Sequence, residues 1–88
     1  MYCIQLLMNM NTSETYYVYY SKLYDTAKFI EGLNNASLFN SIGDARDFYN
    51  NYKNQILSYI KQIDIDYSDI RISEVAKIVI PIESLKEE

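Results

Sequence analysis

Residues 41–63 constrain this chain more than any other stretch, because they are long, periodic and capped at their start. Ile42, Ala45, Phe48, Tyr49, Tyr52, Ile56, Tyr59, Ile60 and Ile63 recur at helical steps, which keeps them on one stripe of a 3.6-residue helix. Arg46, Asp47, Asn50, Asn51, Lys53, Asn54, Ser58, Lys61 and Gln62 fill the opposite side. Ser41, followed three residues later by Asp44, resembles a capping box with Asp in the Glu/Gln place, and Asp44 and Asp47 lie near the positive end of the helix dipole. The expected helix therefore runs from about Ser41 to Gln62, with Lys61 suiting its negative end. Having one dry face, it needs something flat and apolar to lie on.

The remaining segments supply strands. Tyr2–Met8 carries apolar groups on both alternating faces, as a covered strand does. Residues 9–14 have turn chemistry, and residues 15–21 are aromatic and β-branched with strong strand preference. Residues 22–39 are ambiguous: Leu23, Ala27, Ile30 and Leu33 could mark one helical face, while residues 28–33 could pair as a third short strand, and the strand-like or irregular reading is preferred. Residues 64–69 form an acidic connection. Beyond it, Ile70, Ile72, Ala76, Ile78, Ile80 and Ile82 all fall on even positions, with Glu74 interrupting, and read as one final strand over residues 70–80 with its isoleucines toward the helix. Pro81 lacks an amide donor and would end the pairing or mark an edge, and residues 84–88 read as a frayed, charged tail. The expected fold class is α+β: one domain over residues 1–88, a two-layer sandwich of an antiparallel sheet of three to four strands with one long helix across it.

Composition narrows the function classes. No histidine occurs, which removes the usual general base near neutral pH and the commonest transition-metal ligand, so no enzyme is expected and carboxylates alone are left to that reading. The single cysteine, Cys3, lies inside an apolar strand, where thiols are normally inert packing; it fits a reducing compartment. Asp64, Asp66 and Asp69 spell D-x-D-x-x-D, but a calcium loop needs a central Gly and a bidentate Glu, and both are missing. Neither metal nor cofactor is expected. A net charge of −4, with eight Lys and Arg spread over the length, disfavours nucleic acid, which wants clustered positive charge. There is no apolar run of membrane-spanning length and no basic-then-apolar leader, so a cytoplasmic protein without membrane contact is expected.

Tyrosine is the unusual component: ten occur, and Tyr16, Tyr17, Tyr19, Tyr20 and Tyr24 fall close together. Alternation puts Tyr16, Val18 and Tyr20 on one face and Tyr17 and Tyr19 on the other. With the helix on the first face, Tyr17 and Tyr19, with Arg71, Lys77 and Val79, become an outward contact surface. The candidate partner-binding residues are thus Tyr17, Tyr19 and the acidic Asp64, Asp66 and Asp69, the last three suited to a basic surface. Weighed against this are tyrosine as plain strand filler, self-association into a homodimer or larger oligomer through the same face, and stacking of single-stranded bases without the usual cations.

The layout of residues 15–21, then Asn35-Ala36-Ser37-Leu38-Phe39-Asn40-Ser41 leading into Asp44-Ala45-Arg46-Asp47-Phe48, then a closing strand, resembles small phage and mobile-element proteins built as hairpin, helix, strand. The resemblance carries no catalytic residues. It implies a non-enzymatic inhibitor of the anti-CRISPR kind that covers a surface of a host protein, such as a basic face of a defence nuclease complex.

Overall fold

In the computed structural model, residues 1–8, 15–64, 66–76 and 78–86 are described. The expected turn at residues 9–14 lies outside them, as does Lys77. Five strands and one helix follow in the order β1 (Tyr2–Met8), β2 (Tyr16–Ser21), β3 (Thr26–Glu31), α1 (Ile42–Ile63), β4 (Tyr67–Val75) and β5 (Val79–Ser84). The sheet has the order β3-β2-β1-β4-β5 with every neighbouring pair antiparallel, and α1 packs across one face. The fold is the two-layer α+β sandwich, with five strands where three to four were expected. The ambiguous stretch resolves as strand, and β1, apolar on both sides, lies in the centre of the sheet.

Helix α1 starts and stops where its caps dictate. Ser41 has extended backbone and its Oγ accepts from the Asp44 amide at 3.0 Å, while Asp64 adopts left-handed geometry (φ 53°) and returns its N–H to the Ile60 and Lys61 carbonyls. Ala45, Tyr49, Ile56 and Ile60 are buried against Ile4, Leu6, Val18, Ala27, Phe29, Ile70 and Ile72. That apolar contact, rather than helix propensity, holds a helix with so many asparagines.

Between β1 and β2 the sheet is incomplete. The two strands pair at Gln5–Tyr17 and Leu6–Tyr16, and where they part residues 37–39 fill the opening. The Ser37 amide donates to the Val18 carbonyl (3.0 Å), Ser37 Oγ accepts from the Tyr20 amide (2.8 Å), and Phe39 exchanges both backbone hydrogen bonds with Tyr2 (2.8 and 2.7 Å). Phe39 then packs its ring on Phe48 of α1, 5.1 Å between centroids, so the segment pins the helix entry to the sheet.

The closing strand departs from expectation. After Val75 the chain turns, Ala76 N–H donating to the Ile78 carbonyl (3.2 Å), and returns as β5. Ile70 and Ile72 are fully buried beneath α1, but Ile78 is 71% exposed and Ile80 and Ile82 are 39% and 43% exposed. The even-number rule survives through the turn because Glu74 stands opposite Ile80. A hairpin whose arms share parity has the same period-two signature as one long strand, and no Asn-Gly or similar turn pair marks this one. Nor is Ser84 the start of a frayed tail: it lies in β5, and the Leu85 amide donates to the Ile70 carbonyl at 2.6 Å. Pro81 does sit on an edge strand.

Candidate functional site

The β4–β5 hairpin carries the most exposed aliphatic surface among the described residues. Its position follows from the footprint of α1, which lies chiefly over β3, β1 and β4 and reaches β5 through Arg46. Arg46 Nε and Nη2 donate to the two Glu83 oxygens at 3.0 and 2.7 Å, a planar fork in which each charge holds the other ionised: Glu83 titrates below and Arg46 above its ordinary range. A bulge between Ile72 and Ser73 puts Glu83, rather than Ile82, opposite Ile72 and so toward the helix. Ile78, Ile80 and Ile82 are left exposed beyond the helix, with Glu74 opposite Ile80.

The residues singled out from sequence are dispersed. Tyr17 and Tyr19 do point away from the helix, yet Tyr17 is only 7% exposed and is not the outward ring expected. It lies in a cross-strand row between Ile30 and Gln5, with Arg71 beyond, and those neighbours cover it. Burial raises its pKa, with nearby Cys3 adding and Arg71 opposing. Tyr19 is half-buried, with the Lys28 ammonium 5.7 Å from its ring centroid, and shares a shallow hollow with Ile30 and Asn35. Asp64 is the helix C-cap, Asp66 lies in the connection, and Asp69 accepts from Ser84 Oγ at 2.5 Å. Among the described residues no three carboxylate, thiol or imidazole groups are set to hold a metal ion. Cys3 is fully buried, which pushes its thiol up to about 11 and leaves it inert near neutral pH. On the same face Gln5 Oε1 accepts from Ser73 Oγ (2.9 Å) and Arg71 Nε (3.2 Å), satisfying a buried polar pair.

One constellation was missed in the sequence. Asp25, in the turn between β2 and β3 with left-handed backbone (φ 49°), accepts from the Tyr20 and Tyr52 hydroxyls at 2.6 and 2.5 Å. Gln55, one helical turn beyond Tyr52, donates to the Asp25 carbonyl (3.4 Å) and accepts from the Ala27 amide (3.1 Å). The hydrogen bonds from Tyr20 and then Tyr52 hold the Asp25 carboxyl below its ordinary range, and the bond to Asp25 raises Tyr52 well above 10.0. These groups clasp a turn to a helix. The only sequence trace was the spacing of Tyr52 and Gln55, three apart on the polar margin of the apolar stripe.

The clasp has a pH signature. A depressed carboxyl pKa favours the folded state above about 3.8, a contribution lost as pH falls through the lower folded value; a raised tyrosine pKa favours it below 10.0, lost as pH rises further. Asp25→Asn keeps the left-handed turn, which Asn tolerates. Its melting temperature should be lower than wild type at pH 7, with the gap narrowing at an acid pH below 3.8, and Tyr52 should ionise closer to 10.0. Melting curves at the two pH values and an ultraviolet tyrosinate titration check this; an equal gap at both pH values would rule the clasp out.

No protein-family model matches the chain, and no curated protein or solved structure is significantly similar to it. No helix among the described residues is long and apolar enough to cross a membrane.

Proposed function

We propose that the chain is a non-enzymatic binding protein that covers a surface of another protein, in the manner of small phage inhibitors such as anti-CRISPR proteins, and that the β4–β5 hairpin makes the contact. The observation that carries this reading is the exposure of Ile78, Ile80 and Ile82 on one hairpin, where Ile70 and Ile72 of β4 are fully buried. Exposed aliphatic area on so small a protein is costly to leave in water and serves contact. Glu74 stands opposite Ile80, and a chain of net charge −4 favours a partner carrying basic groups over a second copy, which would bring like charges together. The resemblance to small phage proteins, and the lack of histidine, support the same class.

Ile78→Ser with Ile80→Ser tests it. Exposed positions tolerate serine, so the double variant should melt within a few degrees of wild type. Proteins captured from host extract by the wild type should be retained at least tenfold less by the variant, two lost aliphatic anchors costing about 1–2 kcal/mol each. Identical capture by both proteins would refute the assignment. So would light scattering that finds a wild-type dimer and a monomeric variant, since the patch would then serve self-association.

A further inference from the structure

We infer that the open edge of β3 is a docking site for an extended peptide segment of another protein, which adds to the sheet as a further strand. This site is separate from the β4–β5 hairpin and does not depend on the role proposed for it.

The backbone of β3 shows which groups are free. At its end, the Gly32 amide donates to the Thr15 carbonyl, on the β2 side, at 3.4 Å; at its start, the Ala27 amide points the other way and donates to Gln55 Oε1 at 3.1 Å. Successive amides alternate in direction along a strand, so the Phe29 and Glu31 amides share the outward side with Ala27. No strand lies beyond β3 among the described residues. Gln55 Oε1 stands where the carbonyl of a further strand would stand, and its Nε2 donates to a backbone carbonyl, that of Asp25. One side-chain amide already imitates a peptide group on this edge.

Beside the edge runs a groove. Gln55, Ser58, Tyr59 and Gln62 of α1 form one wall, and Thr26, Ala27 and Lys28 form the other. The amides and hydroxyl can satisfy a peptide backbone, while the partly exposed Tyr59 ring receives a small apolar side chain. An edge strand flanked by a helix is the setting in which strand addition binds extended segments, with main-chain bonds giving affinity and alternate side chains giving selectivity.

The opposite edge is built differently. The Val75 amide donates to the Met1 carbonyl (2.8 Å), toward β1, so the amides of Ile72 and Glu74 face β5. Pro81 is opposite Ser73, between those bonded pairs, and its nitrogen therefore faces the free side. The missing donor, with the bulge beside it, blocks continued pairing there without cost to the ladder. One edge of this sheet is closed and the other is open.

A second copy fits the open edge poorly. Pairing two β3 strands about Phe29 sets each Ala27 against the other copy's Glu31, and Gln55 occupies the Ala27 amide in both. Centring on Ile30 sets each Glu31 carboxylate against the other copy's Phe29 ring with no cation to receive it, and centring on Glu31 sets two carboxylates face to face.

The test uses the whole chain and a panel of acetylated, amidated octapeptides that alternate Val or Ala with Thr, Lys or Glu. With at least one sequence, the Phe29 and Glu31 amides should shift saturably in nitrogen–proton spectra and exchange at least tenfold more slowly with deuterium. Glu31→Pro removes an outward donor at an exposed edge position that proline tolerates. It should keep the wild-type melting temperature and bind the same peptide at least tenfold more weakly. The inference is overturned by saturable shifts confined to β5, by undiminished binding to Glu31→Pro, or by no protection of the Phe29 and Glu31 amides with any peptide. Protection that grows with protein concentration alone would overturn it too, by showing a second copy on the edge.

Discussion

Replacing Ile72 with Asp should abolish the cooperative unfolding transition at room temperature, while the same replacement at Ile78 should leave the melting temperature nearly unchanged. Ile72 has no exposed surface and sits under α1 with Ile70, Ile4 and Ile56, so a carboxylate there finds neither water nor a cation. Breaking burial in this way costs about 3–5 kcal/mol in addition to the lost aliphatic packing, against about 5–15 kcal/mol of total stability for a typical domain. For a small domain that removes most of the margin. Ile78 is 71% exposed at the hairpin turn, and surface substitutions usually stay within about 0.5 kcal/mol. Far-ultraviolet circular dichroism during heating separates the two. A folded Ile72→Asp, or an unfolded Ile78→Asp, would contradict the hairpin.

Those two isoleucines also mark how far the sequence could be read. Periodicity of 3.6 needs many residues to mimic by chance, and α1 has 22 with a Ser41 cap, so its bounds were legible to within a residue. Periodicity of two carries less information. It placed Ile70 and Ile72 toward the helix, but it cannot tell a strand from a hairpin folded on an even register, and Ala76 and Ile78, which are hydrogen-bonded across the turn, are not the Gly or Asn that would mark one. Tyr17 shows a second limit. Alternation assigned its face correctly, but exposure depends on cross-strand neighbours, and pairing with Ile30 and Gln5 is long-range information. The Asp25 clasp joins residues 20, 25, 52 and 55, and the spacing within each element carries no sign of the other. Likewise, the difference between a closed β5 edge and an open β3 edge depends on strand order, which no local pattern records. Pro81 alone hinted at it.

Phe48→Ala should be the most destabilising single truncation on the half-buried margin of α1. Its ring is 4.6 Å from Tyr52 in a stacked arrangement, 5.1 Å from Phe39 and 5.5 Å, edge-on, from Tyr20. The three partners come from the helix itself, from the segment that fills the β1–β2 opening, and from β2, so one side chain joins three pieces of backbone that are otherwise held by few hydrogen bonds. Removing a core Phe costs about 3–5 kcal/mol, and the lower figure suits a position with some exposure. At roughly 4–8 °C per kcal/mol for a domain of this size, the midpoint should fall by about 12–24 °C. Phe48→Leu keeps the hydrophobic volume but loses the ring geometry, and should cost about a third as much. The alanine variant should also carry a second signature. Without the stacked ring, Tyr52 and Tyr20 lose the wall that aims their hydroxyls at Asp25, so the dependence of stability on pH below 3.8 should weaken along with the loss of stability at pH 7. Urea titrations at the two pH values measure both effects. A variant with a lower midpoint but the wild-type acid profile would show that the aromatic cluster and the Asp25 clasp are independent, and the helix would then be held to β2 by two separate devices rather than one.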